Sequence, residues 1–275
     1  MILELHTHTD HSRGKKIYYD AISRPEDMVK ATKKVADGIF ITDHDKISGA
    51  IEAQKYAKKY GVNVFLGEEI SCSSGDIVAL GIQELIKPGM DVEDTMDAIH
   101  AQGGVGIAAH PFDIRRAGTG AECVKCDVVE IFNAMNLDRH SNNKAKKFAR
   151  DNNMPVVAGS DAHWTEMLGY GQIEVKSNDL DGILKEIKKG QAKIVKNDYI
   201  PINTIMNMSL GKLRKSYDPT MEYIHKNYGF PKKQIARSLL SIVTKEKRGL
   251  GGFYKFLALV AFGSVILYGQ ARRIV

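Results

Sequence analysis

Gly38-Ile39-Phe40-Ile41-Thr42-Asp43-His44 is a short apolar run that ends in an acid and an imidazole. Ile-Phe-Ile is rich in strand-favouring side chains. A continuous apolar run bounded by polar residues reads as a strand buried on both faces, the kind found in parallel sheets covered by helices. The flanks supply those helices. Upstream, Ser23-Arg24-Pro25-Glu26 has the spacing of a capping box and opens a helix running to about Ala36. Downstream, Ser48–Tyr60 keeps helical periodicity and stops at Gly61.

The same unit recurs outward in both directions. Strand-like runs are expected at Ile2–His8, Val62–Leu66, Ile77–Ile82, Val105–Ala109, Val128–Phe132, Met154–Ala158, Ile173–Val175 and Ile194–Val195. Helices are expected at Asp91–Gln102, around Asn142–Arg150 and at Asp179–Lys189. Strands alternating with helices imply parallel pairing, and about seven such units suit an α/β barrel better than an open sheet. A chain of 275 residues accommodates one barrel, which ordinarily takes roughly 200–250 residues, plus an appendage.

The polar residues fall where such a barrel would place a site. His6/His8, Asp43/His44, Glu68/Glu69, His110, Asn133 and Asp161/His163 each end an apolar run. In a parallel barrel all strand C-termini open on one face, so these residues converge on one bowl. His6-Thr-His8 puts two imidazoles on the same face of a strand, as side chains repeat every two residues. Asp161 and His163 share a face in the same way. Asp43 either carries charge to the site or orients its neighbour His44, and in Gly67-Glu-Glu-Ile-Ser71 one carboxylate bridges two cations while the other faces solvent. Imidazole nitrogen mixed with carboxylate oxygen, without thiolate, suits Mn²⁺, Zn²⁺ or Fe²⁺ at a catalytic site rather than structural zinc.

Taken in order, His6-Thr-His8, Ile41-Thr-Asp43-His44, Gly67-Glu-Glu69-Ile-Ser, Ala109-His110-Pro and Gly159-Ser-Asp-Ala-His163 resemble the motifs of the PHP (polymerase and histidinol phosphatase) family, over roughly residues 1–200. The resemblance implies a distorted seven-stranded (β/α) barrel with a C-terminal helical extension, and metal-dependent hydrolysis of a phosphate ester by two or three divalent cations. It implies that His6, His8, Glu69 and Asp161 hold a first cation. Glu69 bridges to a second, with His110 and a residue near Asn133, while His44 and His163 serve a third. Glu69, Asp161 and His163 are the catalytic candidates. Substrates of the implied class are small phosphorylated metabolites, nucleotides or short oligonucleotides. Histidinol phosphate is an alternative, and so is a barrel that binds RNA or protein without catalysis.

Two departures stand out. The loop after the second histidine reads His11-Ser12-Arg13-Gly14-Lys15 and lacks the aspartate many relatives carry there, leaving either Asp10, His11 or Asp20 as substitutes at the third site or that site weak or empty. Asn133 stands where some relatives use His or Cys, and an amide oxygen is a poorer ligand. Arg13 and Arg139 are candidates for gripping the substrate phosphate, because a guanidinium meets phosphate at two points.

Composition sets the remaining bounds. Charged residues make up 26% and hydrophobic residues 43%, which excludes a disordered chain. Three cysteines, Cys72, Cys123 and Cys126, argue against a disulfide framework, and an isolated C-x-x-C is weak as a zinc or redox site. With no secretory signal at its start, the chain is expected to be cytoplasmic. The net charge of +6 is uneven: thirteen of the 39 Lys/Arg and three of the 33 Asp/Glu lie from Ile205 onward, +10 there and −4 before it. An acidic front half suits cations; a basic tail suits a polyanion such as anionic lipid or nucleic acid. The domain division is therefore 1–203 for the barrel and 204–275 for a basic helical tail. In that tail Pro231–Glu246 is amphipathic, and about 250–269 is a candidate membrane-associated helix of borderline length.

Overall fold

The computed structural model describes residues 1–14, 17–113 and 117–244, together with 260, 263 and 264. Its elements run β1 (Ile2–Glu4), α1 (Pro25–Thr32), β2 (Gly38–Ile41), α2 (Ser48–Tyr60), β3 (Asn63–Cys72), β4 (Gly75–Leu80), α3 (Val92–Ala101) and β5 (Val105–Ala108). There follow β6 (Val128–Asn133), α4 (Arg139–Asp151), β7 (Val156–Gly159), β8 (Gly171–Glu174), α5 (Leu180–Lys188), β9 (Lys193–Asn197), α6 (Ile202–Lys215), α7 (Tyr217–Asn227) and α8 (Lys232–Thr244).

The strands form one sheet in the order β7-β6-β5-β4-β3-β2-β1-β8-β9. It curls until its first and seventh strands nearly meet. Past the ends of β1 and β7, Thr7 bridges Ala162 in parallel, and His8 N–H donates to Ala162 O at 2.8 Å. At Gly171 a Cβ would strike the carbonyl of Gly159, so the glycine is what lets β8 tuck against β7. One apolar cluster joins Leu3, Phe40, Val78, Ile107, Val128, Val157 and Ile173 from seven different strands, which only a sheet wrapped around its own core permits. Each fully buried side chain of this size contributes roughly 1.5–3 kcal/mol by leaving water.

Two expectations need correction. The sheet has nine strands rather than seven, because β8 joins β1 antiparallel and β9 joins β8 antiparallel. Pairing is also not uniformly parallel: β4 runs antiparallel to both β3 and β5. The cause is the two-residue connection at Ser73-Ser74, which is too short for the helical crossover that a parallel return needs.

Helix ends follow their sequence signals in most places. Asp91, Asp138 and Asp179 each accept a backbone N–H three residues on, from Asp94, Ser141 and Gly182. Gly61 takes φ 62° and ends α2 with a left-handed residue. The capping box at Ser23 does not form: α1 has no side-chain cap, and Ser23 Oγ instead accepts the N–H of Thr165.

Helix α6 begins at the expected domain boundary, yet its inner face belongs to the barrel. Ile205 and Met208 are buried in one cluster with Met28, Ile39 and Ala162. Lys215 Nζ holds Asp10 Oδ2 at 2.5 Å and Ile22 O at 2.9 Å, and Tyr19 N–H donates to Ser216 Oγ at 2.9 Å. Among the described residues no helix is long and apolar enough to cross a membrane. The segment 250–269, read as a candidate membrane helix, lies outside the described residues apart from 260, 263 and 264.

Candidate metal centre

β1 delivers His6 and His8 by the alternation of an extended chain. Thr7 between them turns the other way, its Oγ1 donating to Phe40 O at 2.7 Å and its N–H to Thr42 Oγ1 at 3.0 Å. His44 follows β2 and forms an isolated bridge with Glu69 of β3. His110 follows β5, and Asp161 and His163 follow β7. His110 and Asp161 hold φ at 30° and 53°, a left-handed backbone that non-glycine residues adopt at a cost of about 1–3 kcal/mol. Strain of this kind persists where surrounding structure insists on a side-chain direction.

All seven expected ligands converge. Glu69 sits at the middle. Its Oε2 lies 3.3 Å from His6 Nε2, 3.2 Å from His8 Nε2 and 3.1 Å from His44 Nδ1, and its Oε1 lies 3.1 Å from His110 Nε2. Asp161 Oδ1 stands 3.6 Å from His6 Nε2 and 3.3 Å from both His8 Nε2 and His163 Nδ1. Only His44 among them is appreciably exposed, at 26% of its side chain. The cavity above the cluster holds about 390 Å³ and is lined in addition by Asp20, Asp76, Ala117, Met135, Met208 and Lys212.

Several atoms of the cluster are left without a partner. His6 Nε2, His8 Nε2, His110 Nδ1 and Glu69 Oε2 are buried and have no hydrogen-bond partner. Leaving a buried polar atom unsatisfied costs roughly 1–3 kcal/mol, so orphan donors and acceptors gathered at one point call for a ligand. Four sets of three donors lie within 4.8 Å: His8/His44/His163, His6/His110/Asp161, His6/His8/Glu69 and Glu69/Asp76/His110. Nitrogen and oxygen donors without thiolate fit a divalent cation of the Mn²⁺, Zn²⁺ or Fe²⁺ type.

A second layer holds these groups in place. Glu130 accepts from His6 Nδ1 at 3.0 Å, from His110 N–H at 2.8 Å and from Asn133 Nδ2 at 2.9 Å. Asn133 also donates to Asp161 Oδ2 at 3.1 Å, while its own Oδ1 accepts the Met135 N–H at 3.0 Å. The amide thus orients carboxylates, and its oxygen is engaged by the backbone. Asp43 does not reach the cluster: it accepts from Thr9 N–H at 2.6 Å, Thr9 Oγ1 at 2.7 Å and Ser12 Oγ at 2.9 Å, fixing the loop after His8. Glu68, expected to face solvent, is fully buried and accepts the Ile86 N–H at 2.9 Å.

Of the three substitutes for the loop aspartate after His8, Asp20 is the one that faces the cluster. Its Oδ2 lies 2.9 Å from His163 Nε2 and 3.4 Å from His44 Nε2. The alternatives are used elsewhere, Asp10 by Lys215 and His11 by Ser48 and Glu52. Neither candidate arginine lines the bowl. The Arg13 guanidinium lies 4.7 Å and 4.5 Å from the Tyr18 and Tyr19 ring centres and donates to the carbonyls of Asp10 and Ser12. Arg139 opens α4 on an exposed surface, 5.5 Å from the Tyr199 ring. Asp76, Glu130 and Lys212 were not foreseen as site residues.

The electrostatics follow from burying many opposite charges together. Burial disfavours the charge on His6, but Asp161, Glu69 and Glu130 outweigh it and raise the imidazole well above its usual value. For His44, burial is likewise overcome by Glu69 and Asp20, to about 10. Burial pushes the Glu69 carboxyl up, but His44, His6 and His110 pull it well below the usual carboxylate range. His163 is lowered, by burial and by the neighbouring His8. Cys123 and Cys126 are buried free thiols remote from this balance; burial pushes Cys123 up to about 12.

A family profile described as PHP-associated matches residues 139–192. An uncharacterized protein of Methanocaldococcus jannaschii is 36% identical over 152 residues, covering 53% of this chain and 89% of that protein. A second from the same organism is 29% identical over 157 residues and is covered over 66% of its length. A two-domain protein of Bacteroides vulgatus, containing a predicted PHP-like metal-dependent phosphoesterase, superposes with a TM-score of 0.57 at 16% identity, over 72% of this chain and 65% of that one. An amidohydrolase of Chromobacterium violaceum, with bound sulfate and no metal, superposes at 0.51 with 17% identity, over 71% of this chain and 98% of its own. At these identities the likeness is one of fold.

Proposed function

Because this chain belongs to the PHP (polymerase and histidinol phosphatase) family, we propose that it hydrolyses a phosphate ester with two or three divalent cations held in the bowl. One observation carries the reading: both oxygens of a fully buried Glu69 face imidazoles, and Glu69 Oε2 with the His6 and His8 Nε2 atoms beside it has no hydrogen-bond partner. A carboxylate so placed could offer one oxygen to each of two cations.

His6, His8, Glu69 and Asp161 would hold one cation, Glu69 and His110 with Asp76 a second, and His44 and His163 with Asp20 a third. When bound, such cations supply Lewis-acid activation of water and neutralise charge on the phosphoryl oxygens. The chain does the rest. Glu130 accepts a hydrogen bond from the Nδ1–H of His6, which fixes the tautomer and aims the Nε2 lone pair inward. Asn133 steadies the other oxygen of Asp161. The buried walls exclude bulk water and keep the electrostatics strong. Substrates fitting this reading are small phosphorylated metabolites, nucleotides or short oligonucleotides.

The test is elemental analysis of the purified protein, followed by a panel of phosphate monoesters and diesters with added Mn²⁺. Glu69→Gln is expected to lose at least one cation per chain and to lower turnover by three orders of magnitude or more, with its circular dichroism unchanged. A metal-free preparation that binds no divalent cation at micromolar concentration overturns the reading.

A further inference from the structure

Helix α6 brings two side chains to the bowl from outside the strand framework, Met208 and Lys212, one turn apart. Met208 is buried in the barrel core and pins that turn of the helix to the wall. Lys212 is partly exposed at the rim, its ammonium in contact with Asp20 Oδ1.

The sharing of Asp20 is the informative detail. Its Oδ2 faces His163 and His44, the imidazoles of the third candidate position. Its Oδ1 faces Lys212. One carboxylate thus divides a cation position from an ammonium and holds the two side by side. The other described charged groups lining the bowl are acids and histidines, and among the described residues Lys212 is the one Lys or Arg that lines it. Acids and imidazoles recruit cations, but they repel or ignore the phosphoryl oxygens that must approach those cations. A flexible ammonium beside them answers that need, since lysine binds phosphate as a point charge on a four-carbon stem that reaches several positions. Lys215, one residue short of a further turn, is taken up by Asp10 and the Ile22 carbonyl on the outer side of the same loop.

We propose that Lys212 is the phosphate-gripping residue of this site, holding a non-bridging oxygen of the substrate phosphoryl group from a helix beyond the barrel strands. This rests on the phosphoesterase reading above. It replaces Arg13 and Arg139 in that role, and it makes α6 part of the active site.

Titration of inorganic phosphate into the Mn²⁺-loaded full chain tests it, with bound metal measured in the same samples. Lys212→Met keeps the stem and removes the charge, and Lys212→Arg restores a cation. Loss of one charge-assisted contact corresponds to a drop in affinity of about tenfold or more. The expected result is that drop for Lys212→Met, with partial recovery in Lys212→Arg and equal metal content in all three proteins. Phosphate affinity unchanged in Lys212→Met overturns the proposal. So does a missing cation in that variant, which would make Lys212 a support for Asp20. Wild-type protein that carries its cations but binds no phosphate would instead sink the phosphoesterase reading itself.

Discussion

Glu130 never enters the centre of the bowl, yet His6, the His110 backbone and Asn133 all lean on it. Gly159 lies beside it, where a Cβ would collide with Glu130 Oε1 and sit 2.9 Å from His6 Cβ. Removing the charge should therefore loosen two ligands at once. Glu130→Gln is expected to weaken Mn²⁺ binding about 10–100-fold, the usual range for partners behind a ligating histidine, as read by calorimetric titration. A contrasting residue is Asp127, ahead of β6 and so at the opposite end of the barrel. Burial raises its carboxyl, but Lys188, the Gly106 N–H and His100 outweigh that and hold it below the usual carboxylate value. A depressed folded-state value means that the stabilisation is present above the unfolded value of about 3.9 and is lost as pH falls through the folded one. Asp127→Asn should thus be less stable at pH 7, by about 1 kcal/mol. Its deficit should shrink in strong acid, as thermal melts at pH 7 and pH 3 would show.

At the scale of elements, the strand ends carried most of the site, and the exceptions share a cause. His6, His8, His44, His110, Asp161 and His163 each follow an apolar run, and a parallel strand presents its C-terminus to the bowl. Asp76 precedes its run, Ile77-Val-Ala-Leu80, because β4 is antiparallel and its beginning is what reaches the site. Apolar patterning reveals a strand without revealing its direction. The short Ser73-Ser74 link was the available signal, as a turn of that length can only reverse the chain. Asp20 was legible as one of three substitutes, and only the fold of residues 17–23 against α6 separates it from Asp10. Lys212 gave no sign, since nothing local distinguishes it from the other lysines of a basic helix. Helix limits were legible where one residue governs them, as at Gly61, and misread at Ser23, whose hydroxyl serves Thr165. If Asp76 completes the position shared by Glu69 and His110, Asp76→Asn should lower the cation count by one. The His44/His163/Asp20 position should stay filled, which metal analysis and anomalous scattering from Mn²⁺ would distinguish.

For the whole molecule, the decisive arrangement is that the first and seventh strands meet through Thr7 and Ala162. His6 and His8 stand on one lip of that junction, Asp161 and His163 on the other. Ions gripped from both lips would act as a clasp on a fastening made otherwise of a few backbone bonds. Binding to the closed form alone stabilises it by about 2.7 kcal/mol at a hundred times the dissociation constant. Chelation should then quicken amide exchange at His8, whose N–H spans the junction to Ala162, well before it affects the core of β3. The protein would come apart at the place where it does its chemistry, so the availability of metal in its surroundings would set how long each folded copy endures.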